Sequence, residues 1–213
     1  MSTCTLERVT TARLVCERLR PEHAAEVMPL LLDPRVGETL CQPRPPTEAD
    51  LLEELARKVD HWDQYGFGMW LVRDRDSGEM VGRGGLQYTY SPGLDEIEAG
   101  WAIVPERWGR GLATELARTS VHTAFRTLGL REIVALALPG NRASRRVMEK
   151  TGFLYERDTV HAGLPHVLYR RRRDARDRLR DAQMSHARVS RLEHKPVCQP
   201  QTADASQNPR TPG

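Results

Sequence analysis

Gly109 and Gly111 stand one residue apart, between an apolar run that ends at Val104 and an apolar-periodic run that opens at Leu112. The first run reads as a strand and the second as a helix. Neither glycine carries a Cβ, so the backbone can turn tightly between the two elements. The first helical amides are then left unpaired, with the positive end of the helix dipole behind them. A mouth of that kind binds anions, and a pyrophosphate fits it. Arg107 and Arg110 add positive charge at the same place. The chemistry implied is the holding of a phosphorylated cofactor.

Two glycine-rich templates are excluded. A P-loop requires a lysine directly after its last glycine, and the lysines here are Lys58, Lys150 and Lys195. A dinucleotide fingerprint requires a third glycine three residues after the second, where this chain has Thr114, and no parallel βαβ repeat is visible. The segment does resemble the acetyl-CoA loop of the GNAT N-acetyltransferases, Arg/Gln-x-x-Gly-x-Gly/Ala. Gly111 and Ala113 fill its last two fixed positions, and Trp108 stands where Arg or Gln is usual. An aromatic there, followed by Gly-x-Gly-x-Ala-Thr-Glu, is similar to the ribosomal-protein (RimJ/RimL-like) branch. A second segment, from Asn141 through Ser144, Glu149 and Lys150 to Gly152 and Phe153, resembles the signature Asn-x-x-Ser-x-x-x-x-Glu-Lys-x-Gly-Phe. Its own residues describe a helix capped by Asn141, with Val147 and Met148 on an apolar face and Gly152 as the stop.

The resemblance implies acetyl-CoA as co-substrate, held by Ile103, Val104, Gly109, Arg110, Gly111, Leu112, Ala113, Thr114 and Asn141. The backbone of Ile103 and Val104 is expected to part from its neighbouring strand and bond the pantetheine, with one of the two amides polarising the thioester carbonyl. Glu98 lies in Glu98-Ala99-Gly100-Trp101, which resembles the Glu-Ile-Gly-Tyr strand of the Rim branch. Glu98, Gly100 and Ala102 share one face of that strand. A carboxylate beside a mostly apolar cleft has its pKa raised and can take the proton of an amine, directly or through water. Glu96, on the same face, is the competing carboxylate, and an ion pair on a surface strand is the bland alternative for Glu98. Where many relatives carry a tyrosine acid this chain has Met148, which cannot donate a proton. Ser144 is the candidate for the thiol proton or for holding a water, set against a plain bond to its own helix backbone. Arg142 and Arg145 are candidates for the adenosine phosphate. His161 and His166 flank a hairpin near the acceptor end and His122 falls on the cofactor helix; structural roles are the default for all of them.

These residues need a scaffold. Strands are predicted over residues 14–19, 68–73, 79–88, 96–104, 132–138, 153–160 and 165–171, and helices over 21–32, 47–65, 112–128 and from Asn141. Residues 1–12 read as a short polar lead. Trp62, Tyr65, Phe67 and Trp70 read as core between the second helix and the sheet. In this order the elements are those of an α/β GNAT fold, a mixed, mostly antiparallel sheet of roughly six to seven strands flanked by helices on both sides. The acetyltransferase domain is placed at residues 1–171 and a basic, then polar, tail at 172–213, too poor in apolar residues to fold by itself.

A net charge of +3 creates no strong field for nucleic acid, so RNA is left to the basic tail alone. Cys4, Cys16, Cys41 and Cys198 have no metal or disulfide spacing, and no metal site is implied. No apolar run spans a membrane and no signal-peptide pattern opens the chain, which points to the cytoplasm. The expected function is direct acetyl transfer to a primary amine, a protein N-terminus or a small molecule, with a homodimer left open. The alternative is a GNAT module that binds acyl-CoA without turnover. Glu38, Glu48 and Asp50 are the acidic residues that would favour a polycationic acceptor if they lined the cleft.

Overall fold

A computed structural model describes residues 6–40, 45–89 and 96–174. Cys4, Cys41 and Cys198, and the predicted tail beyond residue 174, lie outside the described residues. The strands are β1 (Arg8–Thr10), β2 (Leu14–Arg18), β3 (Met69–Asp74), β4 (Met80–Tyr88), β5 (Ile97–Ile103), β6 (Glu132–Ala137), β7 (Leu154–His161) and β8 (Leu164–Arg172). The helices are α1 (Ala24–Leu32), α2 (Pro34–Gly37), α3 (Glu48–Tyr65), α4 (Leu112–His122) and α5 (Arg142–Lys150).

The strands form one sheet in the order β1-β2-β3-β4-β5-β6-β8-β7. Every neighbouring pair is antiparallel except β5 and β6, which run parallel. Among the described residues the sheet has eight strands rather than six to seven. The addition is β1, at the edge, within what reads as a polar lead. Three residues are too few to show an alternating pattern, and the pairing with β2 decides their conformation.

Alternation along the central strands sends side chains to two helical layers. Met69 and Leu71 of β3 pack with Leu51 and Leu55 of α3 and with Val27 and Leu31 of α1. Trp70 and Val72 go to the other face, with Leu112 and Leu116 of α4. Glycines on β4 let α4 sit close to the sheet. A Cβ on Gly84 would lie 2.6 Å from Leu116 Cδ2 and 2.6 Å from the Gly100 carbonyl. The helix starts follow local chemistry. Thr47 and Asp50 form a reciprocal cap on α3, the Asp50 amide donating to Thr47 Oγ1 (3.2 Å) and the Thr47 amide to Asp50 Oδ2 (2.8 Å). Gly66, with φ +71°, ends the same helix. The predicted helix 112–128 is α4 followed by a π-helical turn, Thr123–Thr127, closed by the Leu128 amide on the Thr123 carbonyl at 3.0 Å.

At the other end of β5 and β6, the buried guanidinium of Arg170 on β8 gathers Glu96, Glu132 (2.9 Å) and Glu156. Four chain segments are tied by one side chain there. Glu96 is thereby committed to an ion pair and does not compete with Glu98 for the site. Replacing Arg170 with Met leaves three neighbouring carboxylates without their shared cation. Breaking a buried ion pair costs about 3–5 kcal/mol, and the partial exposure of these carboxylates brings the expected loss to about 2–3 kcal/mol at pH 7. Arg170 holds the Glu156 carboxyl below its ordinary value of 4.5. The stabilisation is therefore full above that pH and is lost as pH falls through the depressed value. Urea titration of wild type and Arg170→Met should show a gap at pH 7 that narrows in acid.

Candidate active site

β5 stays paired with β4 from Ile97 to Ile103, while its pairing with β6 is confined to Glu98 opposite Val134. Beyond that position the two parallel strands part, and the gap lies open between the two helical layers. The Val104 amide donates to the Val81 carbonyl of β4 at 3.0 Å. Successive residues of a strand alternate their amides between the two edges, so the Ile103 amide belongs to the edge that faces the parting. Of the two amides from which one is expected to polarise a thioester, that of Val104 is already spent, and its residue does not line the gap. Ile103 is fixed in place by Trp108, whose Nε1–H donates to the Ile103 carbonyl at 2.6 Å.

A cavity of about 910 Å³ fills the parting. Glu98, Ile103, Gly109, Gly111, Leu112, Ala113, Thr114, Asn141 and Ser144 all line it. Gly109 (φ +74°) and Gly111 (φ +79°) hold left-handed conformations, and Gly111 is the N-cap of α4. The amides of Leu112, Ala113 and Thr114 therefore open the helix without a side-chain cap, on the wall of the cavity. Glu115 secures this turn to the β1–β2 connection, accepting from Thr11 Oγ1 (2.6 Å), from the Arg13 amide (2.9 Å) and from Arg13 Nε (2.7 Å). Arg110 is exposed and off the cavity wall, and its carbonyl accepts from Arg13 Nη1 at 2.8 Å. On the α4 and α5 side the cations of the wall are Arg146, Lys150 and Arg107, the last of them paired with Glu79 at 2.6 Å. Arg145 instead donates to the Tyr169 hydroxyl and the Pro139 carbonyl, each at 3.2 Å. A helix advances 100° per residue, so the shift from Arg145 to Arg146 changes which arginine meets the cavity. This unpaired helix start, backed by cations and adjoining apolar Leu136 and Val147, fits a phosphorylated, pantetheine-bearing co-substrate.

Asn141 caps α5 by accepting from the Ser144 amide (3.0 Å) and donates to the Thr39 carbonyl (3.2 Å). The Ser144 side chain is half-buried on the cavity wall. Met148 is buried in the core beside Phe125 and Phe153, so its position is turned away from any reacting group.

On the α3 side of the parting, Glu98 Oε2 accepts from Gln87 Nε2 at 3.3 Å. Gln87 Oε1 in turn accepts from the Lys58 ammonium, and Arg83 pairs with Glu54 at 2.9 Å. Burial pushes the Glu98 carboxyl above its ordinary value, with Lys58 and Gln87 opposing. Burial, reinforced by Arg83, brings Lys58 down to about 8. Arg83 holds the Glu54 carboxyl below its ordinary value. His161 lines the cavity, and its ring lies 5.3 Å from that of the fully buried His166. Burial lowers both histidines. His122 is exposed. Glu54, Lys58, Arg83 and Gln87 are not singled out by the sequence. A polar stripe on an amphipathic helix reads as a solvated face, and the charged and polar side chains of β4 reveal their direction only once the strand is seen to be central. Glu48 and Asp50 lie in the first turn of α3 and Glu38 at the end of α2, and none of them lines the cavity.

Residues 13–154 match the model of the acetyltransferase (GNAT) domain. The chain belongs to the GNAT acetyltransferases. It is an N-acetyltransferase, and acetyl-CoA is the acyl donor of its family. It is 34% identical over 157 residues to the FsC-acetyl coenzyme A-N(2)-transacetylase of Aspergillus fumigatus, a match covering 68% of this chain and 64% of that one. It is 30% identical over 183 residues to YdaF of Bacillus subtilis, named as a candidate ribosomal N-acetyltransferase, covering 79% of this chain and 92% of that one. A solved GNAT-family structure from Bordetella pertussis superposes with a TM-score of 0.67 at 30% identity, over 77% of this acetyltransferase and 98% of its own chain.

The left-handed turn at Gly111 is open to a direct test. A Cβ there would meet nothing closer than Arg13 Nη2 at 3.6 Å, so Gly111→Ala is opposed by backbone conformation and not by space. The left-handed region costs a non-glycine residue about 1–2 kcal/mol, and relief of that strain would reorient the first amides of α4. Calorimetry should find coenzyme A binding weakened by about tenfold in Gly111→Ala. Gly129→Ala carries comparable strain at φ +68° away from the cavity wall, and its affinity should be unchanged.

Proposed function

We propose that this acetyltransferase moves the acetyl group directly to a primary amine while both substrates are bound, with Glu98 as the base. One observation carries the reading. Glu98 stands at the last paired position before β5 and β6 part, on the cavity wall, with its carboxyl raised by burial. A carboxylate with a raised pKa is the better proton acceptor, and it serves the amine directly or through one water. Acetyl-CoA supplies the electrophilic carbonyl, and the Ile103 amide is the donor suited to polarise it. The Ser144 hydroxyl, on the opposite wall, is suited to return a proton to the departing sulfur or to hold a water for that purpose.

The acceptor proposed is the N-terminus of a protein or peptide, or a small monoamine. Arg57, Lys58 and Arg83 outnumber Glu54 and Glu98 at the α3 end of the cavity, which disfavours a polycation. The similarity to YdaF and the Glu98–Trp101 strand support the RimJ/RimL-like branch. A module that only senses acyl-CoA would need the glycine loop but not Glu98.

Thiol release from acetyl-CoA against a panel of N-terminal peptides, monoamines and polyamines tests both parts. Glu98→Gln should keep coenzyme A affinity and lose about 10²–10⁴ in kcat, the usual worth of a general base. The wild-type rate should rise with pH through a value above 4.5, because the base works only when ionised, and that limb should vanish in the variant. Unchanged turnover in Glu98→Gln would remove Glu98 from the mechanism. Preference for a polyamine would reverse the acceptor assignment.

A further inference from the structure

A lysine lies buried behind Glu98, where acceptance of a proton by the carboxylate does not by itself require one. Lys58, on α3, is 7% exposed, an uncommon place for an ammonium group. Gln87 and Glu98 are direct register partners on β4 and β5, so their side chains share one face, and α3 packs on that face. The three side chains form a line: Lys58 donates to Gln87 Oε1, and Gln87 Nε2 donates to Glu98 Oε2 at 3.3 Å.

We propose that Lys58 is a positioning residue for the base, orienting the Gln87 amide so that its N–H fixes Glu98 and supplying the positive charge that keeps Glu98 ready to accept a proton. The inference rests on the reading of Glu98 as base. The orientation follows from donor counting. An ammonium group has donors only, so it selects the carbonyl end of the amide and leaves the NH₂ end for the carboxylate. With the amide reversed, like partners would face each other at both ends.

Other charged groups around Glu98 contribute less than Lys58, His166 among them. Arg83 on β4 faces Glu54 of α3 at 2.9 Å and is neutralised there. His166 on β8 and His161 on β7 are both held toward the neutral form by burial. Lys58 is the largest favourable influence on the Glu98 carboxylate. A purely structural lysine, filling space between α3 and the sheet, would leave the titration of Glu98 unchanged when replaced by an apolar residue of similar length.

The test is a carbon-13 NMR titration of glutamate side chains in the full chain, with Glu98→Gln identifying the Glu98 signal. Lys58→Met should move the Glu98 midpoint upward by about one pH unit or more, the usual effect of removing a nearby opposite charge. Lys58→Arg, which keeps cation and donors, should restore most of the shift. Gln87→Met removes the bridge alone and should move the midpoint in the same direction by less, so the inference stays testable if Lys58→Met does not fold. Midpoints unmoved in the folded variants would overturn it while leaving the base reading intact. Thiol release in parallel separates the two ideas. Full turnover in Glu98→Gln would sink the base reading and this inference with it, whatever the titration shows.

Discussion

The parting of β5 from β6 is the constraint on which the rest of this structure depends. Two parallel strands in the middle of a sheet normally pair along their length, because unpaired buried amides are costly. Here pairing is confined to Glu98 and Val134. The backbone beyond is compensated on one side only, by β4, and the free edge becomes a wall of the cavity. Ile103, Leu136, the start of α4 and the start of α5 meet around that gap. A continuous sheet built from the same elements would have no place for a long co-substrate.

Several features keep the gap from closing. The Arg170 cluster gathers the ends of β5 to β8 away from the cavity, so the strands are held together at one end and apart at the other. Trp108 and Glu115 pin the glycine turn from two sides, through the Ile103 carbonyl and the β1–β2 connection. The close approach of α4, permitted by Gly84, sets the height of its first amides above the sheet. Each contact is local, yet together they fix where an anion and a carbonyl can lie.

The two faces of the parting have different electrostatic character. On the α4 and α5 side, open helix amides and the cations Arg146 and Lys150 suit phosphate. On the α3 side, charges are buried in linked pairs, Arg83 with Glu54 and Lys58 with Glu98 through Gln87. Buried charges are tolerated only when so linked, which makes their arrangement specific. The open helix amides and the linked buried charges thereby lie on opposite faces of one sheet.

Much of this was legible in the residues themselves. The glycine turn, the caps of α3 and α5, and the placement of Glu98 on one face with Gly100 and Ala102 depend on short spacings that local sterics and strand alternation dictate. So do the seven longer strands. The sequence did not reveal β1, whose three residues take their form from a partner strand. It did not separate Arg145 from Arg146, or show that Glu96 belongs to Arg170 and not to the site. Nor did it single out Lys58, Gln87, Arg83 and Glu54, which meet only because α3 folds back across β4 and β5. Local chemistry determines what each segment is; long-range packing alone decides which charges are enclosed together, and enclosure is what turns an ordinary carboxylate into a candidate base.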